Sequence, residues 1–428
     1  MTDQLQHTVR TSRERVRTAL AHRQPDRIPI DFGGTAVTGI HVSVVAALRD
    51  HYGLDRRLVK VHEPYQMLGF VDDDLKEAMG IDVEGVMGRE TMFGFRNRDW
   101  RPFTVPADGL EVLVSEEFRT TTDERGDTLI HPKGNLDAPP SGRMPRTGYF
   151  FDTIVRQEPI VKERLDPVDN TEEFSVVTEV DLDDLEADLA VAEATGRAVI
   201  GVLPGMALGD IAFVPAPGLE HPKGIRDIAE WYISVRKRPD YVRSVFEAQV
   251  EIALDNLGRI HARVGDRFDA VMTCGTDFGT QTGAFCSVGT FDDLWLPYYQ
   301  QINGWIHEHT TWKTFKHSCG SVERFMPSFI AAGFDIINPV QCSAANMEAS
   351  HLKREYGRDL VFWGGGVDTQ ETLPFGTPDE VRAQVLERCE IFGDGGGFVF
   401  NAIHNVQART PVANVVAMVD AVHEFNGQ

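Results

Sequence analysis

The sequence has no long hydrophobic run and few cysteines, and each shortage excludes a class of protein. No stretch of the 428 residues approaches the about 18 consecutive apolar residues of a membrane-spanning helix. Residues 1–7 lack the basic-then-apolar layout of a secretory signal, so we expect a cytoplasmic protein. The five cysteines are an odd number without the dense spacing of a disulfide framework, which predicts reduced thiols.

Positive charge is also scarce. Lysine and arginine together number 42 against 65 aspartates and glutamates, which gives a formal net charge of −23 at pH 7. Such a field repels phosphate backbones and anionic membrane surfaces, so we expect neither nucleic acid nor a membrane as a partner. Hydrophobic residues make up 42% and charged residues 25%, as is usual for a soluble globular protein.

From residue 171 onward, short apolar segments alternate with amphipathic helical patterns, which favours parallel strands joined by right-handed crossovers. The predicted strands are residues 198–203, 268–274, 312–317, 334–338, 360–364 and 397–401. Residues 27–32 predict a first strand, and residues 42–52 and 63–79 predict helices. No Gly-x-Gly-x-x-Gly loop follows that first strand, which argues against an open dinucleotide-binding sheet. We therefore predict an α/β fold, a (β/α)8 TIM barrel, as a single domain over residues 1–428.

Residues from about 88 to 170 interrupt this alternation. Segments with β propensity, at 111–114 and 118–122, flank polar turns, and residues 123–127 are typical of a hairpin tip. We predict an antiparallel β insertion in the N-terminal half, which either covers the active site or forms a surface excursion.

The segment His317-Ser318-Cys319-Gly320 places two soft metal ligands two residues apart at the end of a predicted strand. Residues i and i+2 of a strand share one face, about 7 Å apart at Cα, so imidazole and thiol could converge on one zinc ion. By residue type alone, both side chains are more often core residues. Their location at the carboxyl end of a barrel strand, where barrel enzymes have their active sites, favours the metal site.

Further polar residues follow the other predicted strands, so we expect them on the same rim of the barrel. They are Asp31, residues 274–277, residues 338–342, Asp368, Asn401 and His404.

Three segments carry a resemblance to a known superfamily. They are residues 13–15 with residues 25–29, the run from Trp363 to Asp368, and residues 400–404 leading to Thr410 and Pro411. These segments resemble the uroporphyrinogen decarboxylase superfamily, which includes the zinc-dependent methylcobamide:thiol methyltransferases. The resemblance spans most of the chain apart from the predicted insertion, and it implies a TIM-barrel enzyme.

Within that superfamily, the chain combines features of two branches. His317 and Cys319 are similar to the first half of the zinc motif of the methyltransferases, which the decarboxylases lack. Where the methyltransferases have a later cysteine, this chain has His404, as the decarboxylases do. The decarboxylases' arginine-rich substrate motif is replaced by residues 30–35, which contain no basic residue for a polycarboxylated tetrapyrrole. The resemblance therefore implies a methyltransferase first and a decarboxylase second.

The implied ligand set is His317, Cys319 and His404, which leaves a fourth zinc position for substrate or water. Cys342 is the alternative third ligand, and His404 would then act as a catalytic acid/base group.

The remaining rim residues take supporting roles under this hypothesis. Asp277 or Asp368 is expected to orient an imidazole in the catalytic centre. Asp31, Gln281 and Asn401 are expected to contact the substrate. The alternative for these residues is turn and capping chemistry.

The implied reaction moves a methyl group between a corrinoid (cobalamin) co-substrate and a small methoxy donor or thiol acceptor. Since the ligand set contains one thiolate only, zinc would keep more positive charge, which favours polarising a methoxy oxygen. A separate corrinoid protein is an implied partner, and a homodimer is a common arrangement in the superfamily. The alternatives are a decarboxylase like uroporphyrinogen decarboxylase and a non-catalytic barrel that binds corrinoid or zinc.

Overall fold

The computed structural model describes residues 10–427, so residues 1–7, in which we found no secretory signal, lie outside it. Its strands are β1 (Val61–Glu63), β2 (Leu68–Gly69), β3 (Val83–Val86), β4 (Trp100–Thr104), β5 (Glu111–Ser115), β6 (Thr120–Thr122), β7 (Thr128–Ile130), β8 (Gly142–Met144), β9 (Asp152–Thr153), β10 (Ala198–Val202), β11 (Ala270–Cys274), β12 (Lys313–His317), β13 (Ile336–Asn338), β14 (Val361–Trp363) and β15 (Phe398–Val399). Its α-helices are α1 (Ser12–Leu20), α2 (Val42–His51), α3 (Asp73–Met79), α4 (Glu179–Ala194), α5 (Ile228–Lys237), α6 (Pro239–Val264), α7 (Val288–Leu294), α8 (Leu296–His309), α9 (Met326–Ala331), α10 (Ala349–Tyr356), α11 (Thr372–Phe375), α12 (Pro378–Gly393) and α13 (Val412–Phe425). Within residues 10–427, none of these helices combines the length and apolar character needed to cross a bilayer.

Seven parallel strands form one curled sheet in the order β15-β14-β13-β12-β11-β10-β3. The segment 29–31 lies between the two edges of this sheet: Ile30 bridges Phe400 on one side, and its carbonyl accepts from the Asp82 N–H (2.8 Å) on the other. Residues 27–32 therefore contribute a connecting segment and not the regular strand that we predicted, partly because Pro29 has no N–H to donate. The α/β class is confirmed, and the sheet is TIM-barrel-like.

Two antiparallel sheets lie within residues 100–153. One pairs β4 with β5, and the other has the order β6-β7-β8-β9. Residues 123–127 connect β6 to β7, where the Asp123 N–H donates to the Asp127 carbonyl (3.0 Å). Strands β1 and β2 form a further antiparallel pair outside the parallel sheet.

The predicted helix over residues 63–79 is wrong in its first half, because helix α3 begins only at Asp73. The Glu63 carboxylate accepts the backbone N–H groups of Tyr65 (2.9 Å) and Gln66 (2.8 Å). A side chain that binds nearby backbone donors offers them an alternative to helical hydrogen bonds. This turn brings Gln66 to the rim of the barrel, where its Oε1 accepts from Asn405 Nδ2 (2.8 Å).

The inside of the curled sheet is apolar at one end and polar at the other. Helix α1 closes the apolar end, where Val16 and Leu20 pack with strand residues that include Phe315 and Trp363. Beyond this layer, toward the carboxyl ends of the strands, the buried side chains become polar; they are Asp31, His317, Asn338 and Asn401. Because α1 closes the amino-terminal end, a substrate can reach these polar groups only from the carboxyl rim.

The substitution Glu63→Gln should make the stability of the protein less dependent on pH. Burial raises the pKa of Glu63 to about 7, whereas glutamate in an unfolded chain titrates near about 4.3. The folded state therefore binds this proton more tightly, and the associated stability is lost as the pH rises from about 4 to about 7. Urea unfolding between about pH 5 and 7 should show a smaller decrease in unfolding free energy for Glu63→Gln than for the unaltered protein. Equal slopes would contradict this, and the exposed Glu124→Gln control should behave like the unaltered protein.

Candidate metal centre

His317, Cys319 and His404 bring their ligand atoms together at the carboxyl rim, where these atoms all lie within 4.8 Å of one another. His317 ends β12, Cys319 follows it, and His404 lies in the loop after β15. His317 Nε2 and Cys319 Sγ are 3.4 Å apart. Two ligands with zinc bonds of about 2.0 and 2.3 Å at a tetrahedral angle are about 3.5 Å apart, so this pair fits one ion. The ring centres of the two histidines are 5.2 Å apart.

The orientation of the His317 ring is fixed by Asn338. Asn338 Nδ2 donates to the Trp363 carbonyl (2.9 Å), so its Oδ1 must be the atom that accepts from His317 Nδ1 (2.6 Å). The proton of His317 is therefore on Nδ1, and Nε2 has a free lone pair. Burial lowers the pKa of His317 to about 4, which keeps the ring neutral. Metal-binding histidines in proteins usually have this arrangement, with the second ring nitrogen hydrogen-bonded.

Asp277 holds the loop that carries Cys319. Its Oδ1 accepts the Cys319 backbone N–H (2.6 Å) and lies 3.8 Å from His317 Nε2. Burial raises the pKa of the Asp277 carboxyl and raises the pKa of the Cys319 thiol well above its usual range. Cys319 without a metal is therefore a neutral thiol, and a bound cation would favour the thiolate.

His404 is held differently from His317. Its φ of 68° lies in the left-handed region, which is uncommon for residues other than glycine. Its Nδ1 accepts the Asn405 backbone N–H (2.8 Å), so a neutral ring carries its proton on Nε2. The side-chain Oδ1 of Asn405 in turn accepts from the Gly39 N–H (2.6 Å), which fixes the loop that carries His404. Burial lowers the pKa of His404 to about 3. The two histidines are thus in opposite tautomers, and ligation through His404 requires the loss of one local hydrogen bond.

Asp31 and Asn401 lie together in the polar layer inside the sheet. Trp363 Nε1 donates to Asp31 Oδ2 (2.9 Å), and Asn401 Nδ2 donates to the Asp31 carbonyl (2.6 Å). Burial raises the pKa of Asp31 to about 6. Asn401 Oδ1 is buried and has no hydrogen-bond partner among residues 10–427. This oxygen is an acceptor that a substrate N–H or O–H could use.

The structure uses the Gln281 side chain to join loops. Its Oε1 accepts from Gln341 Nε2 (2.9 Å), and its Nε2 donates to the Ser343 carbonyl (2.5 Å). Gln341 Oε1 accepts the Gly320 N–H (2.7 Å), so Gln281 supports the turn next to Cys319. Both the oxygen and the nitrogen of the Gln281 side-chain amide form hydrogen bonds within the protein, so fewer donor and acceptor positions remain for a substrate than the sequence suggested.

Among the described residues, neither Asp368 nor Cys342 belongs to the convergent group of ligand atoms. Asp368 Oδ2 accepts the backbone N–H of Glu371 (2.8 Å), which is turn chemistry, whereas Asp368 Oδ1 is buried with no hydrogen-bond partner among residues 10–427. Burial raises the pKa of Cys342 to about 11, and its charged neighbours are Arg388, Glu387 and Asp368. In the described part of the chain, Cys342 is not among the groups whose ligand atoms converge.

Two buried charges near this site were missing from the sequence prediction. Lys316 is fully buried, and Asp210 is 6% exposed. A lysine between Phe315 and His317 in a predicted interior strand was the only available signal for the first. Asp210 lies in the long loop after β10, and nothing in its local sequence distinguishes it from a surface turn.

The comparison with known families matches the second half of the chain. Residues 223–425 match the family model "Uroporphyrinogen decarboxylase (URO-D)" and include the three convergent ligand residues. The resemblance to the uroporphyrinogen decarboxylase superfamily is confirmed. The uroporphyrinogen decarboxylase of Pseudoalteromonas translucida is 35% identical over 79 residues, which are 18% of this chain and 22% of the relative. That of Janthinobacterium sp. is 44% identical over 58 residues, 13% and 16% of the two chains. The matched segments thus span about a fifth of these curated relatives.

A solved structure has the same fold over nearly the whole chain. It is a methyltransferase from Methanosarcina mazei, with a TM-score of 0.54 and 14% sequence identity. The match covers 97% of this chain and 99% of the other. Because the identity is low, this likeness shows a shared fold and not an activity.

The substitution Asn338→Leu should weaken any divalent metal bound at this centre by about 10- to 100-fold, because His317 would lose the acceptor that fixes its tautomer. The affinity for Zn²⁺ can be measured in competition with a chromophoric chelator. The matched control is Asn303→Leu, since Asn303 is also fully buried but donates to the Ala332 carbonyl (2.8 Å) in another part of the molecule. Equal metal affinity in Asn338→Leu and Asn303→Leu would contradict the role given to Asn338.

Proposed function

We propose that this protein is a zinc-dependent methyltransferase that moves a methyl group between a corrinoid co-substrate and a small methoxy donor or thiol acceptor. The observation that carries the proposal is the 3.4 Å approach of Cys319 Sγ to the free lone pair of His317 Nε2 at the carboxyl rim. The fold shared with the Methanosarcina mazei methyltransferase supports it. His317, Cys319 and His404 are the proposed ligands, and the fourth position is for the substrate.

The buried charges around the ligands also favour a divalent cation. Asp277 and Asp210 are buried carboxyls that act electrostatically on Cys319, and burial raises the pKa of all three groups. A bound divalent cation would favour their ionised forms, because it would compensate negative charge that is costly to bury alone.

Zinc, when bound, would act as a Lewis acid toward the oxygen or sulfur of the substrate. The protein's own residues supply the orientation. Asn338 keeps the Nε2 lone pair of His317 directed at the metal site. The Asp277 carboxylate binds the Cys319 backbone N–H and so keeps Cys319 within reach of the same site. Asn401 Oδ1 provides an unused acceptor for a substrate hydroxyl or amide. If His404 keeps its present hydrogen bond to Asn405, it is the acid/base group and presents Nε2–H to the substrate instead.

A decarboxylase is the second candidate. The family model and the curated relatives carry the name uroporphyrinogen decarboxylase, and buried Asp31 lies in the polar layer of the same rim. Residues 30–35 at this rim contain no basic side chain, so the segment lacks the arginines that would bind a polycarboxylated tetrapyrrole.

The metal content of purified variants tests the proposed ligands. We expect about one zinc per chain in the unaltered protein, as in other catalytic sites with three protein ligands. His317→Ala, Cys319→Ala and His404→Ala should lose it, while Cys389→Ala, which alters a thiol buried in α12, should retain it. Zinc retained in His404→Ala would assign the acid/base role to that histidine. A correctly folded unaltered protein that binds no zinc would contradict the proposal.

The methyl transfer itself can be followed by the absorbance of the corrinoid. The protein should convert Co(I) corrinoid to methyl-Co(III) corrinoid with a methoxy donor, or demethylate the latter with a thiol. Cys319→Ala should abolish the spectral change, and Cys389→Ala should not. A zinc-loaded protein that changes no corrinoid spectrum with any donor or thiol would instead indicate a non-catalytic metal-binding barrel.

A further inference from the structure

Lys316 is a positive charge that the fold buries completely. It lies next to His317 in β12, and because strand residues alternate, its side chain points away from the inside of the curled sheet. Its Nζ is 5.0 Å from the ring centre of Phe278 and 5.5 Å from that of Phe329. No carboxylate of residues 10–427 lies within 4.0 Å of this nitrogen. Burying an ammonium without an ion pair costs desolvation free energy, so other interactions must stabilise Lys316 in this position.

The Lys316 ammonium joins the end of β12 to the loop after β11. Nζ donates to the carbonyl of Thr276 (2.6 Å) and to the carbonyl of His317. Thr276 immediately precedes Asp277, whose carboxylate binds the Cys319 backbone N–H. The Phe278 N–H also donates to Ser318 Oγ (2.9 Å), and the Ser321 N–H donates to the Thr280 carbonyl (2.8 Å), so several hydrogen bonds join the loop after β11 to the loop after β12. Lys316 adds the contact that fixes the Thr276 carbonyl, directly before Asp277.

Asp210 is a further buried carboxyl next to the loop after β11. Its Oδ2 lies directly against Gly275, where an added Cβ would be 2.4 Å from the oxygen. Asp210 and Asp277 both attract the Lys316 ammonium, although neither forms a close ion pair with it. In a buried site such attractions act over several ångströms, because the effective dielectric constant is far below that of water.

We propose that Lys316 is a positioning residue of the metal centre, which holds the loops of Asp277 and Cys319 in the geometry for metal binding, with Asp210 as its counter-charge. This inference rests on the proposed metal site. In this role, Lys316 acts on the metal ligands only through the backbone that carries them, and it does not contact the substrate.

The affinity of Lys316→Met for Zn²⁺ tests this positioning role. Loss of the positive charge and loss of the positioning contact should change the Zn²⁺ affinity in opposite directions. Removing a nearby positive charge should tighten the binding of a cation. Releasing the two loops should weaken it, and we expect a loss of about tenfold or more, as for other groups that support metal ligands. Chelator competition gives the affinity, and bound Co²⁺ gives an absorption spectrum that reports the ligand geometry. The matched control is Lys313→Met in the same strand, since the Lys313 side chain is 39% exposed and pairs with Asp335 (3.0 Å).

Tighter or unchanged Zn²⁺ binding in Lys316→Met, with an unaltered Co²⁺ spectrum, would overturn the positioning role. If Lys316→Met does not fold, Lys316→Gln keeps a shorter donor in the same place and is judged by the same criterion. Adding Asp210→Asn to the Lys316 variant should cause less further loss than Asp210→Asn causes alone, because the two charges compensate each other. Absence of Zn²⁺ binding in the unaltered protein would contradict the proposed function itself, which separates the two failures.

Discussion

The hydrogen bond from His317 Nδ1 to Asn338 Oδ1 is the constraint on which the candidate centre depends. It selects the tautomer that leaves Nε2 free, and it is itself fixed by the bond from Asn338 Nδ2 to the Trp363 carbonyl. The Trp363 indole then donates to Asp31, so one chain of hydrogen bonds crosses the inside of the sheet. Three neighbouring strands, β12, β13 and β14, must be in register before His317 is correctly oriented, and the bond from Trp363 extends the chain past β15 to Asp31. The geometry of the site is therefore a consequence of the closing of the sheet.

That closing depends on a second buried polar group, Asp82. It lies at the amino end of β3, and its carboxylate accepts from the guanidinium of Arg15 (2.6 Å) and from the Ile30 backbone N–H (3.1 Å). Ser12 also donates to it (2.7 Å). A buried carboxylate is stable only when its lone pairs are satisfied, and here helix α1 and the segment 29–31 provide the donors. The same group thus anchors the helix that closes one end of the barrel and the segment that joins its two edges.

The sequence predicted the second half of the fold closely. The predicted strand 198–203 is Ala198–Val202 in the structure, and 312–317 is Lys313–His317. Residues 198–203 are a continuous apolar run and residues 312–316 mix apolar and polar side chains, and a single sequence reveals both patterns. The helix expected at 63–79 failed because the Glu63 carboxylate captures two backbone donors, a local competition that hydrophobic periodicity does not report.

For the site, the spacing of His317 and Cys319 together with their place at a predicted strand end predicted a pair of ligands. His404 is 85 residues beyond Cys319. Its place after the last predicted strand put it on the same rim, and the resemblance to a family suggested it as a ligand. Lys316 and Asp210 were missed, since burial of a charge depends on which loops pack around it. The site roles of Asp368 and Gln281 stay predictions: both ends of the Gln281 amide bind neighbouring loops, whereas Asp368 keeps one buried oxygen without a partner among residues 10–427. A polar residue after a strand has the same sequence signature in a turn as in a site.

The opposite tautomers of His317 and His404 set the energetic question for metal binding. His317 offers its lone pair without rearrangement, whereas His404 must give up the hydrogen bond from the Asn405 N–H. Losing one such bond costs about 0.5–1.5 kcal/mol net, and about 1–3 kcal/mol if the N–H is left buried without a partner. Zinc bound to protein ligands contributes about 10–16 kcal/mol in structural sites. The free energy of zinc binding is several times larger than the free energy of this hydrogen bond. The bond from the Asn405 N–H therefore holds the His404 ring in place in the metal-free protein without preventing it from becoming a ligand.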